Sequence, residues 1–159
     1  MAGKIAASGN VNTLLDQNGN ATLISACYFG LFSGCESLTT APELPATTLA
    51  EDCYSSMFER CTSLTTAPAI LPATTLAANC YNGMFKGCSS LTTAPELPAT
   101  ELVEGCYGYM FQNCRSLTSA PELPATTLGI WCYENMFYGC TSLTQAPELP
   151  AYDLIDNCY

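Results

Sequence analysis

At 159 residues the chain is one domain's worth of polypeptide, long enough to bury a core, and with 48% hydrophobic and 11% charged residues it is no disordered acidic tail despite a net charge of -10. Four Lys and Arg against fourteen Asp and Glu argue against nucleic acid and anionic membrane surfaces, both of which need a basic face. No apolar run reaches the roughly 18 to 20 residues that a bilayer crossing requires, and the opening Met-Ala-Gly-Lys-Ile shows no signal-peptide pattern.

In chain order, residues 1–26 read as a degenerate N-terminal capping unit. Leu23 precedes Cys27 by four residues, as Leu49 precedes Cys53, and residues 10–15 take the strand position. Within this unit Asp16-Gln17-Asn18-Gly19-Asn20 opens like a calcium loop, but its Gly is misplaced and Cys27 stands where Glu is required, so it reads as a turn. Residues 27–157 then form five repeats. The Cys-Tyr pairs begin at Cys27, Cys53, Cys80, Cys106, Cys132 and Cys158, in steps of 26, 27, 26, 26 and 26 residues. The longer step comes from one insertion in residues 67–72. Residues 158–159 start a further repeat, so the chain reads as a piece of a longer one.

Each repeat has two halves. The first runs Cys-Tyr-x-x-Met-Phe-x-x-Cys. In the second unit Leu49, Cys53, Tyr54, Met57, Phe58 and Cys61 give a broad apolar stripe that predicts a short helix, with Pro45 just before it and Thr48 and Glu51 as a capping box. The other half, Ser-Leu-Thr-Thr-Ala-Pro-Glu-Leu-Pro, predicts a strand of three to five residues over 37–41, ending near Pro42, which lacks a ladder N–H. One strand and one helix cannot bury their own apolar faces; stacked repeats can. Strands sit about 4.8 Å apart and helices about 8 to 10 Å, so the expected fold is an α/β leucine-rich-repeat solenoid. It would be a curved horseshoe with short parallel strands on the concave side and short helices on the convex side.

The phrases at 53–68, Cys-Tyr-Ser-Ser-Met-Phe-Glu-Arg-Cys-Thr-Ser-Leu-Thr-Thr-Ala-Pro, and at 44–49, Leu-Pro-Ala-Thr-Thr-Leu, resemble the BspA-like bacterial leucine-rich repeats. These occur in surface proteins of anaerobic gut and oral bacteria and in related phage proteins. The resemblance covers nearly the whole chain. It implies a right-handed horseshoe, an extracellular or cell-surface location, and adhesion to a host or bacterial surface protein or glycan. It brings no catalytic residues. The family's repeats more often read Ile-Gly-x-x-Ala-Phe-x-x-Cys with a shorter period, which leaves the partner open.

Eleven Cys and no His argue against metal. Within a repeat the two Cys lie eight residues apart, about 12 Å on a helix. That is too far for one metal or a disulfide. Bridges between repeats are out of reach on the helical side and geometrically feasible only in the strand-side column from Cys35 to Cys140. The simplest reading is free thiols packed as small hydrophobes, which suits a reducing or anaerobic setting. Glu43, Glu96, Glu122 and Glu148 recur at one position as an acidic row, which serves either as a divalent-cation site or as a solvated edge that blocks misassembly. Without His, a Ser-His-Asp or Cys-His arrangement cannot form, so no enzyme and no cofactor is expected.

Identity lies where the repeats differ. Trp131, the only Trp, replaces Asp52, Asn79, Gly105 and Asn157; Tyr138 replaces Glu59, Lys86 and Gln112; Tyr109 replaces Ser56, Gly83 and Asn135. At helical spacing Trp131, Asn135 and Tyr138 share a face with Tyr109 alongside, a candidate aromatic binding patch. Exposed aromatics are also common without function. The expected function is a non-enzymatic surface or secreted binding module. The alternatives are a structural spacer or self-assembling filament through end-to-end association, and a phage tail or receptor-binding component.

Overall fold

The computed structural model describes residues 3–15 and 22–159; the Asp16–Asn20 segment discussed above lies outside them. Strand β1, Ile5–Ala6, pairs in parallel with β2, Leu38–Thr40, and a one-turn 3-10 helix follows at Val11–Leu14, capped by the Asn10 side chain on the Asn12 N–H at 2.8 Å. Strand β2 ends two residues before Pro42, where a ladder donor is lost. Further along, single parallel bridges join residues one repeat apart in two columns: Thr40 to Thr66 and Thr93 to Ser119 at the strand position, and Thr48 to Thr75 and Glu101 to Thr127 just before the turn half. Successive repeats therefore lie side by side as layers in one direction.

The half expected to be helical contains no α-helix among the described residues; it is a run of consecutive turns. In the second repeat Cys53, Ser55, Met57, Glu59 and Cys61 each donate to the carbonyl three residues back, at 3.0–3.3 Å. The residues between them donate forward to the next layer. Asp52, Tyr54, Ser56, Phe58 and Arg60 bond the carbonyls of Ala78, Cys80, Asn82, Met84 and Lys86 at 2.7–3.0 Å. Every N–H from 52 to 61 is thus paired, alternately within its layer and across to the next. A helix would direct all of these bonds inward and leave none to join the layers.

The conformational device is a positive φ every fourth residue, at Asp52 (54°), Ser56 (53°) and Arg60 (60°), repeated at Asn79, Gly83 and Gly87 and at Gly105, Tyr109 and Asn113. Each occupies the third place of a four-residue turn, where a positive φ gives a type II bend. The Cys-Tyr and Met-Phe pairs between these corners enter the core. The expected bend rested on helices needing more room than strands; with hydrogen-bonded layers on both sides, it has lost its premise. The argument placing inter-repeat disulfides out of reach on this side fails for the same reason, since hydrogen-bonded layers sit about 4.8 Å apart. All eleven thiols are nonetheless free, nine of them buried and Cys27 and Cys35 half-buried.

Layer spacing makes ladders of the core. Tyr28, Tyr54, Tyr81, Tyr107, Tyr133 and Tyr159 stack at 5.6–6.0 Å, and Phe32, Phe58, Phe85, Phe111 and Phe137 at 5.4–5.8 Å. Beside the Phe column, four thiols of the second Cys column donate to a Phe carbonyl one layer back. The contacts are Cys61 to Phe32, Cys88 to Phe58, Cys114 to Phe85 and Cys140 to Phe111, at 3.0–3.1 Å. A small side chain with a weak donor fits that place better than Ala or Val, which explains why Cys recurs there.

Candidate functional site

The left-handed corners point away from the core and are where the repeats vary. Gly occupies this backbone region without cost and Asn or Asp tolerates it, whereas other residues are disfavoured by about 1–2 kcal/mol each. Trp131 and Tyr109 both sit at φ 56°. Two bulky aromatics therefore occupy, in neighbouring layers, corners that elsewhere carry residues such as Gly, Asn and Asp. Two residues earlier the backbones of neighbouring layers run close, and a Cβ on Gly129 would collide with the backbone of Val103 and Glu104. Trp131 is 43% exposed.

Tyr109 is held in a small network. The Glu134 carboxylate beside its hydroxyl, which favours the neutral phenol as a donor, raises its pKa above the usual tyrosine value. Asn135 also donates to Glu134 at 3.4 Å. On the other side the Lys86 ammonium lies 5.6 Å from the centroid of the Tyr109 ring, a cation–π contact reaching across one layer. Tyr109 does lie beside Asn135, as expected, although on consecutive turns and not on a helix. Lys86 and Glu134 belong to this site and were not singled out from sequence.

Tyr138 is placed differently. In the four-residue rhythm it corresponds to Glu134, not to the corners at Trp131 and Asn135, so the shared helix face does not exist. It is 66% exposed and lies on the rim of a cavity of about 370 Å3 whose walls include Leu123, Tyr133, Phe137, Leu149 and Tyr159. None of the stacked ring pairs among the described residues joins two of Trp131, Tyr109 and Tyr138.

The four glutamates of the acidic row are exposed. Glu43 is bridged to Asn10 and Glu96 to Ile70, which takes the place of a carboxylate between them. Open clefts of about 520 and 570 Å3 separate the Pro-Glu-Leu-Pro edges carrying Glu96, Glu122 and Glu148. No group of three Cys, His, Asp or Glu is placed to hold a metal among the described residues. Burial pushes the thiols away from the reactive form, Cys61 and Cys132 to about 11 and Cys53 and Cys106 to about 12. Among the described residues, no helix is long and apolar enough to cross a membrane. Comparison with family models, curated proteins and solved structures finds no match.

Proposed function

We propose that the chain is a non-enzymatic binding module, displayed at a cell surface or secreted, whose regular layered frame presents an aromatic outer face to a protein or glycan partner. The observation that carries the reading is Trp131: a large, half-exposed ring at a left-handed corner where folding alone favours Gly or Asn. Tyr109, one layer away, with the Lys86 ammonium over its ring and the Glu134 carboxylate near its hydroxyl, adds a second ring with polar groups at its edge. An exposed Trp131 ring with a half-buried Tyr109 and its polar neighbours one layer away suits a sugar face or a protein hot spot. The repeat resemblance to the BspA-like surface proteins supports the same class of partner, and the leucine-rich-repeat assignment is part of the proposal.

The test is a glycan and matrix-protein array probed with the native chain and with Trp131→Asn and Tyr109→Asn. Asn suits the corner backbone, so these variants fold. Binding that disappears with the rings supports the reading; binding that both variants retain in full overturns it.

A further inference from the structure

The apolar surface at Trp131 is wider than its ring. Gly129-Ile130-Trp131 stands where earlier repeats carry Ala50-Glu51-Asp52 and Ala77-Ala78-Asn79. Ile130 is 44% exposed and Val103, in the preceding layer, 37%. Gly129 has no side chain and runs against the Val103 backbone, so Val103, Ile130 and Trp131 form one exposed patch on neighbouring layers. The frame does not require aliphatic residues there. The carbonyls of Glu51, Ala78, Glu104 and Ile130 all accept the same bond from the layer before, at 2.8–3.0 Å.

The patch lies within the stack, and its surroundings are acidic. Glu104 holds the place of Ile130 one layer before, and Asp156 holds it one layer after, two residues ahead of Cys158, whose carbonyl accepts from Tyr133 at 2.9 Å. Both carboxylates are exposed, so Ile130 stands between acidic residues of the layers on either side. The segments 99–108, 125–135 and 151–159 contain Glu101, Glu104, Glu134, Asp153 and Asp156 and neither Lys nor Arg. Lys86 is engaged over the Tyr109 ring.

We infer that the Trp131 site takes a protein, through a surface segment that sets an apolar side chain among Lys and Arg residues; this rests on the reading of Trp131 as a binding residue. An apolar centre inside a charged rim is the anatomy of a protein interface, and the sign of the rim selects a basic partner. A sugar fits the ring but not its surroundings, since Val103 and Ile130 offer its hydroxyls no hydrogen bonds. A second copy of the chain would set acidic rim against acidic rim.

The experiment titrates the full chain, in reductant, into a fluorescein-labelled peptide of alternating Lys and Leu and follows anisotropy. Peptides of alternating Lys and Ser and of alternating Glu and Leu run in parallel. Trp131 is the only Trp, so its emission reports whether the site itself is covered. Saturable binding of the Lys-Leu peptide with a blue shift of that emission is expected, with the other two peptides weaker by about tenfold or more. Ile130→Glu should weaken the Lys-Leu peptide by about tenfold, the effect of losing one aliphatic contact. Glu51 and Glu104 hold the equivalent places, so the variant folds. It also adds negative charge, so a purely electrostatic attachment would tighten instead. Absence of saturation, equal affinity for the Lys-Ser peptide, unchanged Trp131 emission or undiminished binding by Ile130→Glu each overturns the inference. The broader reading of the site fails separately, when Trp131→Asn keeps the array ligand in full. A neutral glycan lost by Trp131→Asn and kept by Ile130→Glu would uphold the site and overturn the protein partner.

Discussion

Replacing glycine by alanine distinguishes turns from helix by the sign of the effect. At Gly87 φ is +75°, and an added Cβ comes no closer than 3.5 Å to the Arg60 side chain, an ordinary contact. Gly87→Ala therefore measures backbone conformation alone. Holding a non-glycine residue in the left-handed region costs about 1–2 kcal/mol, and the lower entropy of the unfolded chain returns about 0.4–1 kcal/mol. The net expectation is destabilisation by about 1 kcal/mol. At Gly105, φ +59°, the added Cβ also lands on the Asn79 amide oxygen from the layer below, which adds an overpacking cost of about 1–3 kcal/mol. In an α-helix, by contrast, the same substitutions would stabilise by about 0.5–1 kcal/mol.

The assay is equilibrium urea unfolding followed by Trp131 fluorescence and by circular dichroism. For a chain of this size each kcal/mol moves the melting temperature by about 2–4 °C. Gly87→Ala should melt a few degrees low and Gly105→Ala distinctly lower. Asn79→Gly combined with Gly105→Ala should recover the collision part of the loss and leave the conformational part. If either single variant is more stable than the native chain, the turn architecture of 77–114 is refuted.

Three further measurements probe the core. Tyr28 donates its hydroxyl to the Val11 carbonyl at 3.1 Å, whereas the buried hydroxyls of Tyr54, Tyr81 and Tyr107 have no partner among the described residues; Tyr28→Phe should cost about 1 kcal/mol and Tyr81→Phe nothing or less than nothing, and equal losses on urea unfolding would contradict that difference. Burial raises the Cys53 and Cys106 thiols from 9.0 to about 12, so the fold holds them protonated while the unfolded chain ionises first. Stability is then full below pH 9 and falls between pH 9 and 12, by up to about 1.4 kcal/mol per pH unit for each thiol; a urea midpoint unchanged from pH 7 to pH 10.5 would count against buried thiols. In native buffer a thiol reagent should modify Cys27 and Cys35 and leave the nine buried thiols until the chain unfolds; uniform fast labelling would show that the layers open readily.

The repeat period, the Leu38–Thr40 strand and the residues of the core were legible because apolar spacing reports which positions are buried. The same spacing misled about the turn half. Leu49, Cys53, Met57 and Cys61 recur every four residues, which is near enough to a helical stripe to be taken for one. The discriminating signal lay in the residues between them: positions 30, 34, 83, 87, 105 and 139 are Gly, and 79, 113, 135 and 157 are Asn. Gly and Asn every fourth residue are poor helix formers and good left-handed ones. The network around Tyr109 was less legible, because Lys86 and Glu134 come from different layers and their meeting depends on how far corner side chains lean toward a neighbour.

That lean also explains how the outer face can differ from one layer to the next without disturbing the frame. Corner side chains reach toward the layer above: Asn79 over Gly105, Asn113 over Gly139, Ser56 against Gly83 and Arg60 against Gly87. Where a corner side chain leans over the next layer in this way, the residue it covers is Gly, as at Gly83, Gly87, Gly105 and Gly139. Trp131 follows Gly105 in its column, and Tyr109 follows Gly83. The cost of each corner residue is local, because the hydrogen bonds joining the layers belong to the backbone, and the Tyr, Phe and Cys columns lie on the other side of the chain. Substitution at a corner thus alters what a partner meets while leaving layer spacing fixed. The core columns have no such freedom, since each member is packed and bonded to equivalents above and below.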